Sequence, residues 1–221
     1  MIKEAHVGKG IVSNLSIIFM DKLYYDPLPY ETMGIEIFIP DPLQVKDAYE
    51  KGVSSDFPYW SKIWPSSIVL ANWLNDHAQL LAGKKVFEVG AGLGLPSFIA
   101  AKYASSVLIS DHSALAVEWI DLNKAKLHAD NISSLLFDWR SRPLPLTDMV
   151  LMSDVGYREK DFSDVHNMIR QYVARETIVV LTVPARRISS GFIEPLEELV
   201  NTRSVHMALE TEVLLLTFGD H

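Results

Sequence analysis

Apolar and polar positions in this chain follow two periods in turn, about 3.6 and 2, from Trp60 to the end. Residues 64–81 (WPSSIVLANWLNDHAQLL) repeat apolar side chains at three and four, and Pro65 suits a first helical turn, so a helix is expected before the first core strand. Residues 84–89 (KKVFEV) then read as a strand ending in glycines, 95–104 as a helix and 107–110 as a second strand, which makes a β-α-β unit. The alternation continues with a helix over 112–129 and strands at 133–137 and 146–152, then a helix over 161–173, a strand at 177–183 and a helix over 192–202. Residues 204–218 leave no room for a helix between two strand-like halves, so the last two strands should pair as an antiparallel hairpin at one sheet edge. Such alternation implies a mostly parallel sheet covered on both faces.

Ahead of this unit (59–221) stands an extension, residues 1–58, rich in Pro and aromatics. Residues 11–20 and 35–39 read as short strands within it, with 21–34 as the connection and 41–52 following. It is expected to be a cap that belongs to the same compact unit.

Composition narrows the classes of function. Twenty Lys and Arg against 28 Asp and Glu leave a formal charge of −8, which speaks against nucleic-acid binding by basic patches and mildly favours a cationic partner. No cysteine is present, so disulfides, thiolate metal sites and cysteine nucleophiles are excluded, and a reducing setting fits. The seven histidines show no metal-ligand spacing, so no metal site is expected. Residues 1–14 carry no apolar signal stretch, and no apolar run approaches the ~18 residues of a membrane span, so a cytoplasmic protein is expected.

Open α/β sheets bind ligands beyond the carboxyl ends of their strands, so the residues there are the candidates. After the first core strand comes Glu88-Val89-Gly90-Ala91-Gly92-Leu93-Gly94, with three alternate glycines that let backbone approach a ligand closely. Leu95 stands where a dinucleotide fingerprint would have its third glycine. The second strand ends in Asp111, able to take both hydroxyls of a ribose in either NAD or S-adenosylmethionine, or simply to cap a helix. Asp138-Trp139 follows the third strand, a carboxylate and a ring suited to the amine and face of adenine. The fourth strand ends in Ser153-Asp154-Val155-Gly156-Tyr157, placing an acid and a phenol on the same crevice. Arg186-Arg187 borders that crevice and reads as a solvated pair.

In their order, residues 58–74, 86–101, 108–123, 137–140 and 151–157 resemble the seven-strand S-adenosylmethionine-dependent methyltransferases, specifically methyltransferase family sixteen, with its many protein lysine methyltransferases. The resemblance implies a Rossmann-like seven-stranded sheet, mostly parallel with an antiparallel C-terminal hairpin, carrying the N-terminal β-containing extension. It implies that Trp64, Gly90, Ala91, Gly92, Asp111, Trp139 and Ser153 contact S-adenosyl-L-methionine, and that Glu88 is the acidic residue opening the glycine motif. Gly94, His112 and Asp138 adjoin these and complete the candidate cofactor set. Asp154 and Tyr157 match the family's Asp-x-x-Tyr and are the candidate catalytic pair. Trp60 lies four residues before Trp64 and would share its face if the helix reached that far. Gly156 departs from the bulky apolar residue usual at its position, a change expected to loosen the loop that aims Tyr157.

The reaction implied is N-methylation of a lysine side chain of a protein substrate. With a pKa near 10.4, only about one lysine amine in 2,500 is neutral at pH 7, equivalent to roughly 4.6 kcal/mol. An aromatic slot with Asp154 and Tyr157 would hold the amine and direct its proton outward. Three other readings stay open on the residues alone: a small-molecule N-methyltransferase, an NAD-dependent oxidoreductase disfavoured by Leu95, and a cofactor-binding interaction protein without turnover.

Overall fold

Runs of β-branched and aromatic residues separated by amphipathic stretches build a seven-stranded sheet in a computed structural model that describes residues 25–52 and 57–219. Its strands are β3 (Lys85–Val89), β4 (Ser106–Asp111), β5 (Ile132–Leu136), β6 (Met149–Ser153), β7 (Ile178–Pro184), β8 (Val200–Ala208) and β9 (Thr211–Phe218). The order across the sheet is β5-β4-β3-β6-β7-β9-β8. The first five positions are parallel, while β9 runs antiparallel between β7 and β8. This is the expected Rossmann-like sheet with its terminal hairpin at one edge.

Central strands of such a sheet are apolar on both faces because helices cover both. All seven residues of β7 are buried accordingly. Helices α2 (Pro65–Asp76), α3 (Leu95–Ala100) and α4 (Ala114–Leu127) pack one layer, where Leu70, Phe98 and Ile120 meet Val86, Ile109 and Leu151. The other layer centres on α5 (Phe162–Val173), whose Met168, Ile169 and Tyr172 meet Phe87, Val150 and Leu181. Strand order reverses between β4-β3 and β6-β7, which opens a crevice beyond their carboxyl ends.

Upstream, β1 (Pro27–Thr32) and β2 (Ile35–Pro40) form a two-stranded hairpin, followed by α1 (Pro42–Glu50). The connection expected at 21–34 is therefore half strand. Met33 and Gly34, both at positive φ (46° and 73°), make a two-residue turn that pairs the Pro-rich strand with β2, a role prolines can fill at a sheet edge. The segment at 41–52, to which the sequence assigned no element, holds the helix Pro42–Glu50 because Asp41 caps it, accepting from the Leu43 N–H at 2.8 Å. The strand expected at 11–20 lies outside the described residues. The hairpin rests on α4: Asn123 donates from Nδ2 to the Phe38 carbonyl at 2.9 Å and accepts the Phe38 N–H at Oδ1 at 2.6 Å. Trp119 and Leu122 of α4 share an apolar cluster there with Tyr25, Val45 and Leu93.

Residues 192–202 also depart from expectation. Only a 3-10 segment forms, over Glu194–Leu199 with Pro195 near its start, and residues from Val200 onward pair with β9 instead. The long hairpin claims residues that helical periodicity alone would have assigned elsewhere.

Candidate active site

The carboxyl ends of β3, β4 and β6 and the loop beyond β5 surround one cavity of about 700 Å³. Gly90, Ala91, Gly92 and Gly94 of the turn after β3 line it, as do Asp111 and His112 after β4. Trp139 contributes from the loop beyond β5, and Ser153, Asp154 and Tyr157 from the end of β6. Trp64, at the entrance to α2, lines it too. Eleven of the thirteen candidates are thus brought together, and Glu88 and Asp138 are not among the lining residues.

At the glycine turn, backbone lies against backbone. Gly92 has φ of +57°, and a Cβ there would stand 3.1 Å from the Trp60 carbonyl oxygen, so any other residue would be strained and would crowd that backbone. Asp111, 4% exposed, holds this turn: Oδ2 accepts the Gly92 N–H at 2.8 Å and Oδ1 the Ser113 N–H at 2.9 Å. A carboxylate has about four acceptor positions, so Asp111 keeps capacity toward the cavity. His112 Nδ1 lies 3.2 Å from Asp111 Oδ1, and this hydrogen bond raises the imidazole pKa above its ordinary value. Across from it, the buried Trp139 Nε1–H has no hydrogen-bond partner among the described residues.

Glu88 sits behind the turn, fully buried, where Oε2 accepts the Ser97 N–H at 3.1 Å. Desolvation pushes its pKa up to about 8, so the side chain is mostly protonated at neutral pH. Its place is under the glycine turn rather than on the cavity wall. Asp138 turns outward to Arg140, accepting at 2.8 Å and 2.5 Å, which holds its pKa below the ordinary carboxylate value.

At the other end, Asp154 and Tyr157 stand among aromatic rings. Tyr59 lies 4.6 Å from Tyr157, 4.7 Å from Phe57 and 6.1 Å from Trp64, centroid to centroid. The Trp64 Nε1–H donates to the Tyr59 carbonyl at 2.8 Å and so fixes the ring. Phe57 and Tyr59 are not among the candidates named from sequence, although they belong to the aromatic run around Trp60. Trp60 and Trp64 both line the cavity but share no helix face, because Pro65 starts α2 and Trp60 occupies a separate 3-10 turn. Burial raises the Asp154 pKa, an effect opposed by Arg186, Arg187 and Lys62.

The loop carrying Tyr157 is packed tightly, contrary to the looseness expected from Gly156. Gly156 has φ of +62°, and a Cβ there would fall 2.9 Å from Phe192 Cε2 and 3.3 Å from Val165 Cγ2. Glycine is thus what lets Phe192 close against this backbone. Arg187, read from sequence as half of a solvated pair, donates to the carbonyls of both Gly156 and Tyr157. Its guanidinium stacks 5.0 Å from Phe162 and 5.1 Å from Phe192.

A carboxylate and phenol in an aromatic lip can hold a cationic nitrogen, and a glycine turn with an acidic strand end can hold a nucleoside. The family model described as lysine methyltransferase matches residues 41–199. Human histone-arginine methyltransferase METTL23 is 33% identical over 111 residues, covering 47% of this chain and 58% of the relative. The Xenopus tropicalis protein N-lysine methyltransferase METTL21A is 26% identical over 126 residues, 54% of this chain and 58% of the relative. The chain spans about half the length of the curated relatives it matches. Among solved structures, the N-methyltransferase NodS of Bradyrhizobium japonicum WM9 in complex with S-adenosyl-L-homocysteine superposes with a TM-score of 0.58 at 16% identity, covering 80% of this chain and 98% of that one.

Proposed function

This chain belongs to the lysine methyltransferase family, and on that premise we propose that it transfers a methyl group from S-adenosylmethionine to a side-chain nitrogen of a protein, lysine first. The observation that carries the reading is one continuous cavity, with the glycine turn and Asp111 at one end and Asp154 and Tyr157 within an aromatic lip at the other.

The residues fit the cofactor on two counts: Asp111, whose carboxylate holds the glycine turn and keeps acceptor positions toward the cavity, and the buried Trp139 Nε1–H without a partner among the described residues. Asp111, the turn from Gly90 to Gly94, His112, Ser153, Trp139 and Trp64 would hold it. When bound, S-adenosylmethionine supplies a methyl already activated by its sulfonium. The protein's part is alignment and preparation of the acceptor. Asp154 pairs with the incoming ammonium, while Tyr59, Trp64 and Tyr157 strip its water and favour its neutral form. The released proton leaves through Asp154 toward the open mouth. Glu88 and Asp138 are assigned supporting roles, the first beneath the glycine turn and the second beside Trp139.

Phe57, Pro58 and Tyr59 line the same mouth, which supports assigning the segment up to residue 58 to substrate choice within one compact unit. No helix among the described residues is long and apolar enough to cross a membrane. The cytoplasm is the proposed setting, because a chain without cysteine suits a reducing compartment.

Arginine is the second reading. It is favoured by the name of the METTL23 relatives and by the two oxygens of Asp154, which can accept a guanidinium side by side. Incubating the chain with radiolabelled S-adenosylmethionine and a lysate, then hydrolysing the labelled bands, tests both. Labelled methyllysine is expected; labelled methylarginine would select the second reading, and an unlabelled lysate would overturn both.

A further inference from the structure

The geometry points to Lys62 as a methyl acceptor of the chain's own site, modified within the same molecule, an inference that rests on the proposed transfer to a lysine nitrogen. The segment that leads into α2 crosses the mouth of the cavity, where Tyr59, Trp60, Lys62, Ile63 and Trp64 all line it. Lys62 is extended, at φ −137° and ψ 159°, between the 3-10 turn Tyr59–Ser61 and the start of α2. The residue is exposed, yet its ammonium leans over the cavity wall, with Nζ 3.6 Å from the centre of the Trp64 ring. An indole face attracts a cation in that position. Trp64 belongs both to the proposed cofactor set and to the lip that receives an acceptor, so Lys62 stands where an incoming lysine has to pass. Its charge also acts on Asp154, the carboxylate proposed to pair with the acceptor.

Other lysines are placed differently. Lys46 and Lys51 are open to solvent, but they pair with Glu50 and Asp47 at α1 and do not line the cavity. Lys126 pairs with Glu36 and stacks over Phe38 on the hairpin. A lysine tethered beside a site meets it at a high effective concentration, so attachment offsets the weak hold of one ring. In the step, Lys62 Nζ first gives one ammonium proton to water at the mouth, as any lysine acceptor must. Its lone pair then forms the N–C bond as the S–C bond to the methyl breaks, the bonding electrons stay on sulfur, and methyllysine and S-adenosylhomocysteine result.

To test this, the purified full chain is incubated with labelled S-adenosylmethionine alone, digested, and mapped by mass spectrometry. Label on Lys62 should exceed that on Lys46 or Lys51 by about tenfold or more, because position rather than exposure selects the acceptor. The rate should stay first-order over an about hundredfold range of chain concentration, as transfer within one molecule requires, and excess S-adenosylhomocysteine should suppress it. Lys62→Arg keeps a cation over Trp64 and should remove the label from this peptide. Acylation of the chain with acetic anhydride gives a readout without turnover: bound S-adenosylhomocysteine should slow modification of Lys62 and leave Lys46 and Lys51 unchanged. Label spread evenly over exposed lysines, a rate that rises with chain concentration, or acylation of Lys62 untouched by S-adenosylhomocysteine would overturn the inference. A chain unlabelled at Lys62 that still makes methyllysine in a lysate would overturn this inference alone. Absence of label from both chain and lysate would overturn the methylation on which it rests, whereas label on Lys62 beside an unlabelled lysate would keep the inference and remove the separate protein substrate.

Discussion

Asp154 combines a half-buried carboxylate with a left-handed backbone, φ +54°, held by its own N–H donating to the Thr182 carbonyl at 2.8 Å. A non-glycine residue there stores roughly 1–3 kcal/mol, which the surrounding loop must offset. Asp154→Asn keeps the shape but removes the charge that pairs with an ammonium, so turnover should fall about 10²-fold in a methyl-transfer assay while S-adenosylhomocysteine affinity, read by calorimetry, stays close to wild type. Because burial raises its pKa, the acid limb of the kcat/KM profile should lie above the ordinary carboxylate range, and Arg186→Gln, by removing an opposing cation, should move that limb further up. Glu88 titrates in a different way. Its pKa of about 8, against an ordinary 4.5, means the folded protein binds the proton more tightly than the unfolded chain does. The stability from that proton is complete below pH 4.5 and is lost as pH rises to about 8. Glu88→Gln keeps a neutral side chain at every pH, so its melting temperature relative to wild type should climb steadily between about pH 5 and pH 8. A constant difference would mean that Glu88 ionises normally in the fold.

The loop after β6 and the hairpin on α4 are each held by contacts that single substitutions can remove. Phe192 packs on Gly156, and Arg187 ties the next carbonyls, so the loop is clamped from both sides. Gly156→Ala should cost about 1–3 kcal/mol in denaturant unfolding and lower turnover, since its Cβ would have to displace Phe192. Adding Phe192→Leu should recover part of the loss by making room. On α4, Asn123 satisfies both backbone groups of Phe38 and is itself fully buried. Asn123→Ala would leave a donor and an acceptor of β2 unpaired, at about 1–3 kcal/mol each. Hydrogen exchange should then show residues 35–40 losing protection while β6 and β7 keep theirs.

What unites these pieces is the reversal of strand order between β3 and β6, which points the ends of β3, β4 and β6 into one crevice. A ligand gripped by several strand ends at once stabilises the whole sheet by mass action, about 2.7 kcal/mol at a hundredfold excess over its Kd. S-adenosylhomocysteine should therefore raise the melting temperature in a concentration-dependent way. Asp111→Ala should abolish most of that shift, because the carboxylate holds the Gly92 and Ser113 N–H groups as well as facing the cavity. An undiminished shift in the folded variant would place the nucleoside elsewhere.

Local pattern was enough for the alternating unit. The strands from β3 to β7, their helices and the terminal hairpin follow from periodicity, because the two faces of a covered sheet and one face of a helix dictate where apolar residues recur. The strand ends followed with them, so the glycine turn, Asp111, Trp139, Asp154 and Tyr157 were legible as one crevice. Other features depend on partners far away in the chain. Residues 27–32 became a strand only because the turn at Met33-Gly34 folds them onto β2, and residues from Val200 onward left a helical pattern because β9 pairs with them. Gly156 read as a weakness until Phe192, 36 positions on, filled the space above it. Arg187 read as solvated until the same packing turned it onto the Gly156 and Tyr157 carbonyls. Periodicity reports which face of an element meets the core; it does not report which distant side chain will stand there, and that neighbour decides whether a glycine is slack or an arginine is free.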